Sequence, residues 1–496
     1  MSTTPLGLLK STPVPCYVDG QPFLGSGSFA VKDPHDPSNT LYEASSITTA
    51  DLGKVLESSA RAFKAWKKTS ILDRRAIFLR ACEILKQRQQ SYASLEVTET
   101  TSDLGWAMFG IIKAIEGIEE CAGVATVALR GEYDTTTNGK RGFVNRSLDE
   151  VITRCPFGTV LSVAAWNAPV VLSARCTSNP ARNACILKTS EMAPRTQLIL
   201  AEVFHEAGLP AGVLNVIHVA PEDAPKVMNA IIAHHSVGKV NFTGSSRVGS
   251  IVAQVAGKHL VPLTLELGGK AAAIVREDAD LRIACNAIAF GGWVHSGQIC
   301  MATQTVIAHT SIASQLISLL KAQATKVVAS VNGAPIRGLF TQELVLRTKT
   351  IVEEALAKGA EIVAGCFDVK DNLFQPLVLK GVTPDMQIYH VEMFAPVVSI
   401  ITYETEEDAI RIANDHEYGL SAAIFTKDID RALKLAEEID SGAVHINGST
   451  LADEGHHPHG GWKKSGYGRF NGIEGIREFT QLKVVTINEP HGQYPI

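Results

Sequence analysis

The sequence lacks the features that would assign it to a membrane or to a nucleic acid. No run of roughly 18 apolar residues occurs, so no membrane-spanning helix is expected. No block of lysines and arginines is present, and the net charge of −5 argues against a nucleic-acid partner. No secretory signal is seen at the start, and no peroxisomal or prenylation signal at the end, so we expect a cytoplasmic protein.

Paired cysteines are also missing. The nine cysteines are odd in number and scattered, with no C-x-x-C pair and no zinc spacing. That distribution argues against a disulfide framework and favours free thiols in a reducing compartment. His456, His457 and His459 could suggest a metal, but we favour a loop with solvated histidines, and no metal site is predicted.

What is present is the composition of a soluble globular enzyme. The chain has 496 residues, of which 45% are hydrophobic and 20% charged, which suggests two or three domains. Buried strands are predicted at 159–165, 184–188 and 239–243, and a helix at 194–208. The third strand runs into a glycine-containing turn at 244–249 and a helix, which presents a helix N-terminus to a phosphate. The chain is therefore predicted to be α/β.

A cysteine with room around it is the most informative single feature. Cys300 follows Gly297-Gln298-Ile299 and an Ala/Gly-rich run at 284–292, whose small residues allow a ligand or a second backbone to approach closely. Such a thiol can act as a nucleophile. Glu266 stands between leucines and beside two glycines, and desolvation there should raise its pKa toward neutrality, where a general base works best. Taken alone, a cysteine is more often a buried hydrophobe and a glutamate a solvated charge.

Four further segments have both a functional and an ordinary structural interpretation. Asn167 directly follows a buried strand and can donate to an oxyanion or form a turn. Lys188 and Glu191 could hold the hydroxyls of an adenosine ribose or form a capping turn. Residues 244–249 match neither a P-loop nor G-x-G-x-x-G, so a tight turn is an equal alternative to a phosphate site. Residues 392–396 put a carboxylate and an aromatic ahead of a proline, as a loop entry also does.

The order of these segments along the chain resembles that of the aldehyde dehydrogenase superfamily. The resemblance covers nearly the whole chain. The sequences of the motifs are similar to those of the aromatic aldehyde branch that contains salicylaldehyde and vanillin dehydrogenases. Agreement in seven places argues against chance. The matching segments are Trp166-Asn167-Ala168-Pro169, Lys188-Thr189-Ser190-Glu191, Phe242-Thr243-Gly244-Ser245 with Gly249, Leu265-Glu266-Leu267-Gly268-Gly269-Lys270, Gly297-Gln298-Ile299-Cys300, Glu392-Met393-Phe394-Ala395-Pro396 and Gly460-Gly461-Trp462-Lys463-Lys464-Ser465-Gly466.

The resemblance implies catalytic roles for three residues. Cys300 would be the nucleophile and Glu266 the general base. Asn167 and the backbone N–H of Cys300 would form the oxyanion hole. An aldehyde carbon would accept the thiolate, lose a hydride to the nicotinamide to give a thioester, and be released by water that Glu266 activates.

NAD is the cofactor that the resemblance implies, with NADP less favoured because Glu191 would repel a 2′-phosphate. Lys188 and Glu191 would bind the adenosine ribose. Ser245 would contact the pyrophosphate, and Glu392 the nicotinamide ribose. The remaining cofactor contacts are expected at Trp166, Thr243, Gly244, Gly249, Leu267 and Phe394.

A hydroxylated aromatic aldehyde is the expected small-molecule substrate. Arg175, eight residues past Asn167, would face the substrate tunnel and could bind a phenolic or carboxylate oxygen, with a structural ion pair as the alternative. Ala168 leaves space for a ring, and Trp106 would lie near the tunnel. His459 would make the tunnel more polar.

The resemblance also implies an architecture of two domains and an arm. The strand predicted at 481–487 has no obvious partner in its own neighbourhood, and we expect it to be an edge strand that pairs with another subunit of a homodimer or homotetramer. The implied parts are a Rossmann-type NAD-binding domain at 1–132 and 153–265, an α/β catalytic domain at 266–468, and a β oligomerisation arm at 133–152 and 469–496.

Two alternatives to an aromatic aldehyde dehydrogenase remain open at this point. One is an enzyme for an aliphatic aldehyde or a semialdehyde. The other is a catalytically silent scaffold of the same fold, against which the intact Cys300, Glu266 and Asn167 argue.

Overall fold

The computed structural model describes residues 7–134, 147–177, 182–331 and 336–488. No helix in these ranges is long and apolar enough to cross a membrane. The helices are α1 (Leu52–Trp66), α2 (Ile71–Glu99), α3 (Leu104–Ala128), α4 (Pro169–Thr177), α5 (Pro194–Glu206), α6 (Ala224–Ile232), α7 (Ser246–Lys258), α8 (Leu281–Trp293), α9 (Thr310–Ala324), α10 (Gln342–Ala357), α11 (Gln387–His390), α12 (Glu406–Asn414), α13 (Ile429–Glu437) and α14 (Gly472–Glu478).

The strands of the same residues form two large sheets and three small ones. They are β1 (Cys16–Val18), β2 (Gln21–Phe23), β3 (Gly27–Lys32), β4 (Thr40–Ser46), β5 (Glu132–Asp134), β6 (Ser147–Pro156), β7 (Thr159–Val163), β8 (Ala184–Lys188), β9 (Leu214–Ile217), β10 (Val237–Thr243), β11 (Leu263–Glu266), β12 (Ala271–Val275), β13 (Thr303–His309), β14 (Glu361–Gly365), β15 (Val369–Lys370), β16 (Leu373–Phe374), β17 (Leu377–Lys380), β18 (Val397–Tyr403), β19 (Ala422–Phe425), β20 (Val444–Ile446), β21 (Gly466–Tyr467) and β22 (Thr480–Asn488).

The first large sheet has the strand order β2-β1-β9-β8-β7-β10-β11-β21, and its five central strands are parallel. β7 and β8 are buried along their whole length, as strands covered on both faces must be. One core cluster packs α2 to α5 on one face, and another packs α1, α6 and α7 on the other. The strand order reverses between β7 and β10, and such a switch point opens a ligand crevice at the carboxyl ends of the strands.

The second large sheet has the order β14-β17-β18-β13-β12-β19-β20, in which only β14 is antiparallel to its neighbour. Helices α8 and α9 cover one face, and α12 and α13 cover the other. The predicted α/β class is confirmed. Only residues 267–270 connect β11 of the first sheet to β12 of the second, so the two sheets meet beside the end of β11.

A small sheet of order β22-β6-β5 carries the predicted arm. β22 pairs antiparallel with β6, so its partner lies far earlier in the same chain, and β22 occupies an edge of the sheet as predicted. Pairing of that edge with another subunit stays a prediction, as do the domain boundaries. β21, from the segment predicted as catalytic, pairs with β11 in the first sheet. Residues 135–146 and 489–496 of the predicted arm lie outside the described residues.

Candidate active site

One cavity of about 360 Å³ lies at the carboxyl ends of β7, β10 and β11. Fourteen of the seventeen predicted site residues line it, and the other three, Lys188, Glu191 and Gly249, do not. The fold therefore brings predicted site residues from segments far apart in the chain together around one cavity. The fourteen are Trp106, Trp166, Asn167, Ala168, Arg175, Thr243, Gly244, Ser245, Glu266, Leu267, Cys300, Glu392, Phe394 and His459.

The turn that delivers Cys300 to this cavity has an uncommon backbone. His295, Ser296 and Gly297 follow one another with φ of 50°, 56° and 67°, all in the left-handed region. A β-carbon at Gly297 would overlap the carbonyl oxygen of Ala395, so only glycine fits there. Consecutive residues in this region are costly and persist only where their surroundings hold them.

Gln298 and Gly269 supply the contacts that hold this turn. The Gln298 side chain accepts a hydrogen bond from the Phe340 backbone N–H at 2.8 Å and donates to the Gly338 carbonyl at 3.2 Å. A β-carbon at Gly269 would overlap the carbonyl oxygen of Cys300, so the connection between the two sheets packs backbone against backbone beside the thiol. The position of Cys300 is therefore fixed from both sides.

The Cys300 thiol donates a hydrogen bond to the Glu266 carboxylate, with 2.9 Å between Sγ and Oε1. Burial and the adjacent Glu266 charge raise the pKa of Cys300 well above its usual value. The sulfur is therefore a protonated thiol in the resting enzyme. Glu266 lies where a base must be in order to remove that proton.

The predicted rise in the pKa of Glu266 is wrong. Burial does raise that pKa, but the His459 imidazole, the Arg175 guanidinium and the Cys300 hydrogen bond outweigh burial and lower it below its usual value. His459 Nε2 lies 3.7 Å from Oε1 of Glu266, and Arg175 Nη1 lies 3.9 Å from Oε2. Both partners are distant in sequence, so the local context of Glu266 could show burial but not the two side chains that oppose its effect on the pKa. Glu266 is an ionised base at neutral pH.

Arg175 also forms an ion pair with Asp453, and both residues line the cavity. Asp453 accepts a second hydrogen bond from the Asn471 amide at 2.8 Å. Burial raises the pKa of Asp453, but Arg175, His459 and that hydrogen bond outweigh it, so the pKa is lowered. The ion pair foreseen as the alternative role of Arg175 is present, and the same side chain lines the cavity beside Cys300. No motif singled out Asp453 as a site residue.

Asn167 lies at the end of β7, beside the turn that carries the thiol. Its side-chain amide donates to the Gln298 backbone carbonyl at 2.9 Å, and its backbone carbonyl accepts from the Trp106 indole N–H at 2.9 Å. The first contact holds the side chain at the cavity wall, and the second holds the backbone. The oxyanion role of Asn167 stays a prediction.

The N-terminus of α7 faces the cavity at the predicted pyrophosphate site. Ser245 caps the helix, accepting from the Val248 N–H at 3.3 Å, and its backbone lines the cavity with Thr243 and Gly244. Gly249 lies one turn further on, where a β-carbon would come within 2.5 Å of the Leu267 side chain. Gly249 therefore serves close packing of α7 on β11, and the helix end remains open to an anion.

Lys188 and Glu191 lie together beyond the carboxyl end of β8. Lys188 Nζ is 3.2 Å from Glu191 Oε2, and the Glu191 side chain is partly exposed. A carboxylate and an ammonium in this position can bind ribose hydroxyls at the outer edge of a dinucleotide site. Their location outside the lining of the main cavity agrees with a role at the adenosine end.

Glu392 lies on the opposite wall from α7. Its Oε1 accepts from the Gly269 N–H at 2.8 Å, and a β-carbon at Gly268 would come within 2.6 Å of its Oε2. Burial is the main reason that the pKa of Glu392 is raised to about 7. Phe394 has φ of 54° and meets the Trp166 ring edge-on at 6.1 Å. This carboxylate and these two rings are groups that could hold a nicotinamide riboside. Among the described residues, no group of three or more His, Cys, Asp and Glu side chains could hold a metal ion.

Trp106 forms a rigid aromatic wall on the substrate side. Its ring stacks on His295 with centroids 5.1 Å apart and planes 8° from parallel, and on Phe109 at 5.5 Å. Together with its hydrogen bond to Asn167, these contacts leave one orientation for the indole. The wall therefore has a defined plane against which a flat ring can pack.

Two helix faces complete this wall, and sequence reasoning found only part of each. On α3 and at α4 with the residue before it, the lining positions follow the spacing i, i+3, i+4, i+7 of a single helix face. Applying that spacing to Trp106 and Ala168 would have revealed the rest, which are Phe109, Gly110, Lys113, Val171 and Leu172. The other lining residues were not predicted as site residues, and they are Ala165, Met192, Gly268, Phe290, Ile299, Met301, Thr341, Leu344, Arg347, Leu451 and Asp453.

A thiol hydrogen-bonded to a carboxylate, in a crevice of the kind that binds dinucleotides, is the arrangement of a cysteine-based oxidoreductase. The chain belongs to the aldehyde dehydrogenase family, whose model matches residues 23–485.

Relatives of known activity extend along the whole chain. It is 37% identical to the vanillin dehydrogenase of Pseudomonas sp. (strain HR199 / DSM 7063) over 491 residues, covering 97% of this chain and 99% of that one. It is 36% identical to the salicylaldehyde dehydrogenase of Pseudomonas putida over 464 residues, covering 92% and 94%. The crystal structure of a salicylaldehyde dehydrogenase from Pseudomonas putida G7 with salicylaldehyde superposes with a TM-score of 0.93 at 34% identity, covering 97% and 99%.

Proposed function

We propose that this protein oxidises hydroxylated aromatic aldehydes to carboxylic acids with NAD, through a thioester on Cys300. The observation that carries the proposal is the 2.9 Å hydrogen bond from the Cys300 thiol to Glu266 in a cavity walled by Trp106 and Arg175. The full-length similarity to vanillin and salicylaldehyde dehydrogenases supports the substrate class.

In the first half of the reaction, Glu266 takes the thiol proton of Cys300, and the sulfur forms a bond to the aldehyde carbon. The carbonyl oxygen becomes an oxyanion, which the Asn167 amide and the Cys300 backbone N–H are placed to stabilise. NAD, when bound, accepts the hydride that leaves this carbon. The oxygen reforms its double bond, and the product of this half is a thioester on Cys300.

In the second half, Glu266 removes a proton from a water molecule, whose oxygen attacks the thioester carbon. The carbon–sulfur bond breaks and the acid leaves. Glu266 then returns its proton to the Cys300 sulfur, which restores both side chains to their starting states. A carboxylate whose pKa lies below its usual value is ready to accept a proton at neutral pH in both halves. One base therefore serves the two proton removals that the reaction needs.

We predict that Arg175 contributes selectivity for the ring hydroxyl. Arg175→Leu should lower kcat/KM for salicylaldehyde or vanillin about 10- to 100-fold more than for benzaldehyde, since a hydrogen bond to a charged group contributes about 1.5–3 kcal/mol. Loss of the ion pair with Asp453 should lower kcat/KM for both kinds of substrate equally. The ratio of the two kcat/KM values therefore reports the contact with the ring hydroxyl alone. An unchanged ratio would assign Arg175 a structural role only.

The same assay extended to succinate semialdehyde and propanal separates the proposal from its alternative. Benzaldehyde-type substrates should have the higher kcat/KM, because the plane of Trp106 favours a flat ring. A preference for the semialdehyde would mean that the Arg175 guanidinium recognises a carboxylate, and would overturn the aromatic assignment.

NAD should be preferred over NADP by about tenfold or more in kcat/KM, because the Glu191 carboxylate would face the 2′-phosphate. Glu191→Gln should narrow that ratio by improving NADP use. The matched control is Glu361→Gln, which removes the same charge from an exposed position on β14. Equal use of both cofactors by the unmodified enzyme would contradict the assignment of Glu191.

We propose further that the protein works as a homodimer or homotetramer. β22 lies at the edge of its sheet, and Leu482, Val484 and Val485 are exposed on it. Because side chains of 484 and 485 point to opposite faces, both faces of this edge strand present apolar surface. A second subunit that extends the sheet would cover it.

A further inference from the structure

Four ionisable side chains form a closed ring of alternating charge behind the thiol. Arg175 lies between Glu266 and Asp453, and His459 lies between the same two carboxylates on the other side. Its Nε2 is 3.7 Å from Glu266, and its Nδ1 is 3.7 Å from Asp453. The ring therefore holds one fixed cation, two carboxylates and one imidazole whose charge can change.

His459 is held in this place with a proton-accepting atom unused. The residue is only 7% exposed, and its backbone pairs with Phe470 through two hydrogen bonds of 2.8 and 3.0 Å. Nε2 nevertheless has no hydrogen-bond partner within the part of the chain that the structure describes. A shift of less than an ångström would bring it to hydrogen-bonding distance of Glu266.

We propose that His459 receives the proton that Glu266 removes from the thiol, so that Glu266 is ionised again when it must remove a proton from water. The inference rests on the proposed function, in which Glu266 is the base. His459 is then a relay residue between Glu266 and solvent.

Proton balance requires such a receiver. Oxidation of an aldehyde by NAD and water yields the acid, the reduced cofactor and a proton. Glu266 takes up one proton from the thiol and one from water. The second returns to the Cys300 sulfur when the acid leaves, but the first must leave Glu266 before this residue can serve as base again. Of the side chains next to it, Arg175 is always charged and Cys300 is itself the proton source. His459 is the remaining neighbour, and its unpartnered Nε2 faces Glu266 at 3.7 Å, so it is the side chain placed to act as receiver.

Charged side chains lie on both sides of His459 in this ring. Glu266 and Asp453 face its two nitrogens, and both carboxylates have lowered pKa values, so they remain ionised. Arg175 opposes the added charge from across the ring. His445 is the other titratable group close enough to interact with His459. Because two carboxylates flank one fixed cation, a proton on His459 brings the ring to neutrality.

Asp453 lies on the route by which the proton can leave this ring. It lines the active-site cavity and also a second, small cavity of about 40 Å³, between α3, α4 and α14. Lys113, Cys121 and Asn471 line the second cavity as well. A proton on Nδ1 of His459 can therefore leave past Asp453 on the side away from the aldehyde, without crossing the substrate.

The test compares His459→Gln with His445→Gln as the matched control, since His445 belongs to the same cluster but does not face Glu266. We expect His459→Gln to lose kcat about 10²-fold, with little change in KM and in thermal stability. Imidazole added to the buffer should restore a part of the lost rate, and the acid side of the kcat–pH profile should change shape. His445→Gln should match the unmodified enzyme. His459→Asn gives the same comparison if the glutamine variant does not fold.

Intact-protein mass spectrometry separates failure of this inference from failure of the proposed function. If the unmodified enzyme never carries an acyl group that Cys300→Ser abolishes, the proposed function fails. If it does carry one, and His459→Gln retains the rate and pH profile of the unmodified enzyme, only the relay is wrong. A rate loss that His445→Gln shares, and that imidazole does not relieve, would overturn the relay by showing a structural role.

Discussion

Cys300→Ala should abolish aldehyde oxidation while the fold and cofactor binding are retained. Removing a covalent nucleophile typically lowers turnover by about 10⁴-fold or more, because no remaining group can form the intermediate. The thiol makes one side-chain hydrogen bond, to Glu266, and the turn that carries it is held by Gln298 and Gly269. NADH absorbance measures turnover, and protein fluorescence on cofactor titration measures binding.

Cys300→Ser is the control for side-chain volume and polarity. It retains a hydroxyl in nearly the same space, so a structural role of the thiol would be largely preserved, whereas the covalent role would not. Both variants should be inactive. Turnover in either variant at the rate of the unmodified enzyme would rule out the cysteine mechanism.

Glu266→Gln should lower steady-state turnover about 10²–10⁴-fold, the usual contribution of a general base. The amide cannot accept the thiol proton or activate water. Because both halves of the reaction pass through this residue, any thioester that forms should accumulate, and a burst of NADH should precede a slow steady state. Rapid-mixing absorbance measurements resolve the two phases.

Glu266→Asp is the informative control, since it retains the charge near Arg175 and His459 but withdraws the oxygen from Sγ. It should retain more activity than the glutamine variant. In the unmodified enzyme, the lowered pKa of Glu266 means that activity limited by this base falls only below the usual titration range of a glutamate. Steady-state kinetics of Glu266→Gln identical to those of the unmodified enzyme would show that another residue is the base.

Much of the site was predictable because its residues end strands or occupy short motifs. Asn167, Ser245 and Glu266 each follow a strand of one parallel sheet, and carboxyl ends of such strands converge. Cys300 was predictable from the small residues before it. The strands at 159 and 184 were predictable from their mostly apolar residues, which burial on both faces demands.

The rest depended on contacts that no local pattern encodes. Arg175, Asp453 and His459 come from three separate segments, and only the fold brings them to Glu266. That is why the pKa of Glu266 was predicted in the wrong direction. The partner of β22 was missed because β6 lies far earlier in the chain. The lining residues on the two helix faces follow a helical spacing that the sequence shows. The left-handed backbone at His295, in contrast, has no distinct pattern in the sequence.

The four-residue connection between β11 and β12 makes the chemistry depend on how the two large sheets are spaced. Glu266 belongs to the first sheet, and Cys300 enters immediately before β13 of the second. The thiol–carboxylate distance is therefore a measure of the gap between two separately packed cores. Misplacement of reacting groups by about an ångström can cost about 10²-fold in rate. A change in the packing of one sheet against the other would thus abolish activity while each sheet with its own core is still folded. Inactivation by heat or denaturant should therefore begin at the interface between the two sheets.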